Sequence, residues 1–88
     1  MIVRVMTEGQ YELNGDAVDA LEHADVALLE AVHAGDSAQF RHHLDQLLVM
    51  IRQGKKVPSE DLRASDLVVP PPDMSVHEAQ RLLAEHQI

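Results

Sequence analysis

Three consecutive prolines at positions 70–72 constrain the fold of this chain more than any other feature. Proline has no backbone N–H to donate, and it biases the residue before it towards extended geometry. Together with Pro58 and several turn-forming residues, these prolines exclude a helix from residues 55–74. Residues 66–69 are the only strand candidate in that stretch, and the prolines end this strand because they cannot donate to a ladder.

Residues 1–13 have the pattern of a β-hairpin. Val3 and Val5 are separated by one polar residue, and the second half of the segment alternates polar and apolar residues in the same way. A three-residue loop that ends at Gly9 joins the halves, and this glycine is expected to take a positive φ. A lone hairpin is barely stable in water, so we expect residues 66–69 to add a third strand.

Residues 16–53 predict two helices that form an αα-hairpin. Their apolar side chains recur at steps of three and four residues, which is the period of a helix with one buried face. Gly35 ends the first helix, and the short break around it places the two helices antiparallel and side by side. The predicted core is the seam of Leu21, Leu28 and Val32 against Phe40, Leu44, Leu47 and Ile51.

Side chains that can cap a helix precede both of these helices. Asn14 or Asp16 is expected to accept the first amide hydrogens of helix one. Asp36 or Ser37 is expected to do the same for helix two.

A capping box opens a short C-terminal helix over residues 75–86. Ser75 stands at the cap position, with Glu78 three residues later. The sequence therefore predicts one α+β domain over residues 1–88. It consists of an N-terminal β-hairpin and a third short strand, packed with an αα-hairpin and the C-terminal helix.

The charge of the chain is uneven along its length. The net charge is -8, and residues 1–40 hold eight of the 15 acidic residues but one of the seven basic residues. Nucleic acids and anionic membranes attract clustered Lys and Arg, so we expect no nucleic-acid partner and no direct membrane insertion. Residues 41–63 are mildly basic, and we expect a chain polarised in this way to bind a protein partner less tightly as salt rises.

Cysteine is absent, and no apolar run approaches the length of about 20 residues that crosses a bilayer. The absence of cysteine excludes a disulfide framework and thiolate chemistry, and it fits a reducing compartment. The first six residues carry Arg4 among apolar side chains and do not have the pattern of a signal peptide. We therefore expect a cytoplasmic protein.

Catalytic patterns are missing from the sequence. No serine lies in a nucleophile elbow, and the glycines do not form a phosphate-binding loop. The acidic residues of helix one have the spacing of a solvated helix face. The chain is therefore not expected to be an enzyme.

Six histidines raise the question of a metal site. The densest group is His42, His43 and Asp45, but a zinc site takes three or four ligands, and a pair of histidines at i, i+4 is absent. We expect surface histidines, with no metal and no cofactor. The alternative is a metal- or small-molecule-sensing domain that uses these three residues, and a metal bound there would raise the melting temperature.

Exposed apolar side chains favour protein interaction instead. One falls on the polar side of helix one and two lie on the outer side of helix two, while the third strand gives the sheet an open edge. A helical partner or a purely structural homodimer would use such surfaces. The candidate contact residues are Val26, Val49, Met50, Arg52, Asp66 and Pro70.

Two segments resemble a known family. Residues 1–13, with the string EGQY, and residues 65–75, with the string SDLVVPPPD, are similar to PspAA, the PspA-associated protein. The helical middle is compatible in length, so the resemblance covers the whole chain. It implies a small cytoplasmic protein that is associated with PspA and has no catalytic residues. Together with the exposed apolar side chains, this leads us to expect an adaptor. Its partner would be PspA, the membrane-remodelling coiled-coil protein of the phage-shock envelope-stress response, or another protein of that system.

Overall fold

The computed structural model describes residues 1–61 and 63–86. The strands and helices follow one another in the order ββααββα. They are β1 (Ile2–Val5), β2 (Gly9–Glu12), α1 (Asp16–Ala34), α2 (Ser37–Arg52), β3 (Lys55–Lys56), β4 (Leu67–Val69) and α3 (Val76–His86).

The strands form one mixed sheet in the order β3-β2-β1-β4. β1 and β2 are antiparallel, with Val3 opposite Tyr11. β4 lies on the other side of β1 and runs parallel to it, with Arg4 opposite Val68. This architecture confirms the predicted α+β class, including the N-terminal hairpin, the strand that joins it from the Pro-rich segment, the αα-hairpin and the C-terminal helix.

A fourth strand lies at the edge of the hairpin, where none was expected. β3 pairs antiparallel with β2, with Tyr11 opposite Lys56 and Glu12 opposite Lys55. The prediction that residues 66–69 form the only strand within residues 55–74 was therefore wrong. Two exposed lysines have no apolar alternation, and that alternation is the signal by which a strand is recognised.

The hairpin loop begins one residue earlier than predicted. Val5 lies opposite Gly9, so the loop consists of residues 6–8 and Gly9 belongs to β2. Gly9 has a positive φ of 125°, as expected, but Thr7 also has a positive φ, of 72°. A residue with a Cβ adopts this conformation at a cost, which contacts of the surrounding loop must offset.

Three of the helix ends have the predicted chemistry. Gly35 ends α1 in the left-handed conformation with φ 68°. The carboxylate of Asp36 accepts a hydrogen bond from the N–H of Gln39 at 3.1 Å, which caps α2. Ser75 and Glu78 exchange both capping-box hydrogen bonds at 3.2 Å, so the start of α3 is also confirmed.

The start of α1 differs from the prediction. Gly15 takes the cap position with φ 62°, and it has no side chain with which to accept a hydrogen bond. Neither Asn14 nor Asp16 caps the helix, so that prediction was wrong. Asp16 and Asp19 still place negative charge in the first turn, where the helix dipole favours it.

The core lies between the αα-hairpin and one face of the sheet. Every residue of the predicted seam is buried, from Leu21 in α1 to Ile51 in α2. Val3, Val5 and Val69 face this seam from the sheet. Full burial of each such side chain stabilises the fold by about 1.5–3 kcal/mol, so the seam dominates the packing energy. α3 adds Val76 and Ala79 to this core, which also contains Tyr11, Leu13, Ala31 and Leu48.

β3 and β4 lie at opposite edges of the sheet, and residues 63–65 of the connection between them contact Arg4 and Gln10 on the face opposite to the helices. Gln10 alternates with the core residue Tyr11 and so points to this face, where it is only 5% exposed. Its Nε2 donates to the carbonyl oxygen of Arg63 at 3.0 Å and to Oγ of Ser65 at 2.7 Å. One polar side chain thus fastens the connection across the sheet.

The helices of the described residues are amphipathic, with one buried face each. None of these described helices has both the length and the hydropathy needed to cross a membrane.

Candidate interaction surfaces

The outer side of α2 carries an exposed apolar surface. Leu44, Leu47 and Ile51 are buried against the core, and this fixes the rotation of the helix about its axis. Val49 therefore faces away from the core and is 57% exposed. A shallow groove of about 510 Å³ surrounds it, and we call this the α2 groove. Its lining residues are Asp45, Gln46, Val49 and Met50.

Arg52, also predicted as a contact residue, is held by the hairpin loop instead. Its Nη2 donates to Oε1 of Glu8 at 2.6 Å, and its Nε donates to Oε2 at 3.0 Å. The hydroxyl of Tyr11 donates to the same Oε2 at 2.7 Å. This bidentate ion pair fastens the strained loop beside Thr7 to the end of α2.

The protonation of this cluster follows from its geometry. Hydrogen bonds from Arg52 and Tyr11 lower the pKa of Glu8 from 4.5 to about 2. The Glu8 carboxylate and partial burial raise the pKa of Tyr11 above its ordinary value. The carboxylate also raises the pKa of Arg52. Glu8 is thus a fixed negative charge at neutral pH, with a structural role that its position in a turn did not indicate.

Val26 lies on an acidic helix face. It is 55% exposed on α1, a helix that contains no Lys or Arg. Among the described residues, no ion pair involves a carboxylate of α1. Burial raises the pKa of Asp25 on the same helix. Val26 is thus exposed on the polar side of α1, as the sequence predicted. The acidic side chains of this helix are not paired with Lys or Arg among the described residues.

Asp66 and Pro70 flank β4 and have structural roles. One carboxylate oxygen of Asp66 accepts a hydrogen bond from the backbone N–H of Ile2 at 2.7 Å, which aligns the two parallel strands. Pro70 is half-buried and follows β4 directly. The sequence predicted that Asp66 and Pro70 contact a partner protein. Because both have structural roles, β4, which lies between them, is the better candidate for such a contact.

An apolar cleft lies beside that strand, and the sequence did not indicate it. Val68, in the middle of β4, is 53% exposed. Together with Met6, Leu82 and Leu83 it lines a cleft of about 450 Å³, which we call the β4–α3 cleft. These residues come from three distant segments, so no local pattern brings them together.

The Pro-rich segment is fastened to α2. Arg41 donates from Nη1 to the carbonyl oxygen of Pro72 and from Nη2 to that of Met74, the latter at 2.8 Å. Proline fixes its own φ, and the arginine fixes the position of the segment. The prolines therefore form a rigid connection that sets where α3 begins.

The histidine group does not converge on one point. The rings of His42 and His43 lie 5.3 Å apart, edge to face. Asp45 faces Arg41 instead, with 3.5 Å between its Oδ1 and Nη1. Among the side chains that the structure describes, no three His, Asp or Glu residues are grouped so as to hold a metal ion.

Comparison with known proteins identifies a family. No curated protein and no solved structure is significantly similar to the chain. The family model of PspAA, described as PspA-Associated protein, matches residues 1–88, which is the whole chain. The name of that family points to association with PspA. The chain belongs to the PspAA family, as the resemblance of its hairpin and its Pro-rich strand predicted.

Proposed function

We propose that this protein is a non-catalytic adaptor that binds PspA in the cytoplasm, as part of the envelope-stress response. Membership of the PspAA family supports the choice of partner. The observation that carries the proposal is the α2 groove, where Val49 stands 57% exposed on a regular helix. The partner surface is a helix of a PspA-type coiled coil or of another protein of the same system.

The shape of the α2 groove suits a helical partner. Asp45 and Val49 are four residues apart, as are Gln46 and Met50, so they form two parallel ridges along the helix. A second helix that packs its side chains between these ridges buries Val49 and the exposed part of Met50. An exposed apolar groove on a helix is thus a surface for another helix.

The negative charge of α1 adds a longer-range electrostatic contribution. α1, the neighbouring helix of the αα-hairpin, carries acidic side chains and no Lys or Arg. These charges attract basic side chains of the partner, and dissolved ions screen the attraction. The affinity is therefore expected to fall as the salt concentration rises.

The strongest polar contacts support a non-catalytic function because each one holds parts of the fold together. Glu8 binds Arg52, and Arg41 binds the Pro-rich connection. Gln10 fastens the connection across the sheet. The carboxyl group of Glu8, with a pKa of about 2, is not poised between two protonation states near neutral pH, which a general acid or base requires.

Calorimetric titration of the full chain with purified PspA tests the proposal. Binding is expected at low salt, with a weaker affinity at high salt. Val49→Asp places a charge in the contact and is expected to weaken binding at least about tenfold. Val68→Asp is the matched control, because it introduces the same change at a residue of similar exposure on another surface.

Two results would contradict the proposal. The first is an absence of binding at both low and high salt. The second is equal binding by wild type and Val49→Asp, with circular dichroism showing that the variant is folded. Light scattering of the free chain separates an adaptor from a purely structural homodimer, which would have twice the monomer mass and bind no PspA.

A further inference from the structure

The two edges of the sheet carry different side chains. At one edge β3 consists of Lys55 and Lys56, both exposed, and charged residues of this kind keep an open edge from pairing with another strand. At the opposite edge β4 is Leu67–Val69, without a charged residue. β4 ends the sheet order, so its outer backbone groups have no strand beside them in the described part of the chain. Of the two edge strands in the described sheet, β4 is therefore the one without a charged side chain to oppose strand pairing.

Helix α3 stands next to the unprotected edge. Leu82 and Leu83 of α3 line the β4–α3 cleft together with Val68 of β4 and Met6. The four lining residues are all apolar. The cleft of about 450 Å³ thus has a strand on one side and an apolar helix wall on the other.

The wall of the cleft is fixed in position. The first turns of α3 are anchored in the core through Val76 and Ala79. On the side towards α1, the Nε2 of Gln80 donates to the carbonyl oxygen of Val32 at 2.9 Å. The cleft therefore exists before a ligand arrives, and little ordering entropy is lost on binding.

We propose that the β4–α3 cleft binds an extended apolar segment of another protein, which adds to the sheet as a fifth strand. The edge of β4 offers backbone donors and acceptors, which only another extended backbone satisfies in register. Every second side chain of the added strand then points towards Leu82 and Leu83. In this arrangement, hydrogen bonds to the edge strand provide the affinity, and contacts of alternate side chains with the helix provide the selectivity.

The neighbours of β4 set the length of the bound segment. Before the strand, the Asp66 carboxylate is occupied by the N–H of Ile2. After it, Pro70 has no N–H to donate. The available edge is therefore the three residues Leu67–Val69, about 10 Å of strand. A segment that fits carries two apolar side chains, at positions i and i+2.

Charge favours another protein over a second copy of this chain. Each copy has a net charge of -8, so two copies repel one another as they approach. The cleft itself is uncharged and imposes no such penalty on a neutral or basic segment. The β4–α3 cleft shares no residue with the α2 groove, so this inference does not rest on the proposed function.

The test is an NMR titration of the full chain with a capped eight-residue peptide that has Val at alternate positions and Lys or Thr between them. Amide shifts are expected at Leu67 and Val69 and near Leu82. Val68→Asp is expected to weaken binding about tenfold or more, because it puts a charge at the centre of the contact. Val49→Asp, on the α2 groove, is expected to leave the peptide affinity unchanged.

Two N-methylated forms of the peptide test backbone pairing directly. Methylation of one alternate set of amides removes the hydrogen bonds to β4, while methylation of the other set leaves them intact. One form is therefore expected to bind and the other is not. Val68→Asp should remain folded because Arg4 lies opposite residue 68 and can pair with the new carboxylate. If it does not, Leu82→Gln is the substitute, expected to weaken binding by the same mechanism.

Three results would overturn the inference. They are an absence of peptide binding, equal binding of both methylated forms, and an affinity that changes neither in Val68→Asp nor in Leu82→Gln. A free chain that is dimeric in light scattering and monomeric as Val68→Asp would also overturn it, since the occupant would then be a second copy. Loss of PspA binding in Val49→Asp alone leaves this inference standing.

Discussion

Glu8→Gln removes the charge that fastens the hairpin loop to the end of α2. The carboxylate accepts hydrogen bonds from Arg52 at 2.6 and 3.0 Å and from Tyr11 at 2.7 Å. Lowering a pKa from 4.5 to about 2 corresponds to about 3 kcal/mol for a group shielded from water. The side chain of Arg52 is 43% exposed, and solvent screening reduces this contribution to about 1–2 kcal/mol.

The effect depends on pH in a defined direction. A carboxyl group with a lower pKa in the folded protein stabilises the fold at pH values above the unfolded pKa, which is 4.5 here. That contribution is lost as the pH falls towards the folded value of about 2. The unfolding free energy of Glu8→Gln is therefore expected to lie about 1–2 kcal/mol below that of wild type at pH 7. The difference is expected to shrink steadily below about pH 5.

Urea denaturation of both proteins at pH 7 and pH 3 measures this difference, with Glu60→Gln, an exposed loop residue, as the control. Tyr11 gives an independent readout, because the chain has one tyrosine and no tryptophan. Ultraviolet titration should show the pKa of Tyr11 falling towards 10.0 in Glu8→Gln, since the carboxylate is what chiefly raises it. Equal stability at pH 7, or an unchanged tyrosine titration, would refute the reasoning.

Three further substitutions test other parts of the fold by urea denaturation. Gln10→Leu removes the donor to the carbonyl of Arg63 and leaves the Ser65 hydroxyl with the longer 3.4 Å hydrogen bond from Nε of Arg4, so a cost of about 1–3 kcal/mol is expected; a neutral result would mean that water replaces the amide. Gly54→Ala places a Cβ 2.6 Å from the carbonyl oxygen of Glu12, so a loss of about 1–3 kcal/mol is expected, and full stability would contradict this close approach. Asp36→Ala should cost about 1 kcal/mol, whereas Asp36→Asn should retain most of the cap.

The parts of the fold that the sequence predicts are those with a local signal. The αα-hairpin follows from apolar residues at helical spacing, because each buried position repeats the same face of one helix. The capping box at Ser75 is recognised from two residues three apart, and both of its hydrogen bonds form. The exposed position of Val49 follows from the same periodicity, so the α2 groove could be located from the sequence, whereas the β4–α3 cleft could not.

The features that were missed depend on pairs of residues far apart in the chain. The ion pair of Glu8 with Arg52 joins a turn to a helix end 44 residues away. The β4–α3 cleft combines Met6, Val68 and Leu82, which meet only after the sheet has closed. At the start of α1, Asn14 and Asp16 both have side chains that could accept a capping hydrogen bond. Gly15 takes the cap position instead, so neither side chain makes this bond.

The position of β1 inside the sheet has a consequence for how the chain folds. This strand comes first in the sequence, yet its parallel partner is β4, and Asp66 binds Ile2 across 64 residues. Local contacts within the hairpin and the αα-hairpin can form early, whereas this pairing must close a loop that includes most of the chain. During synthesis, β1 therefore keeps an open edge until residues 66–69 leave the ribosome. In the described sheet, the strand furthest along the chain lies directly beside the first one, so the sheet is complete only after residues 66–69 have been made.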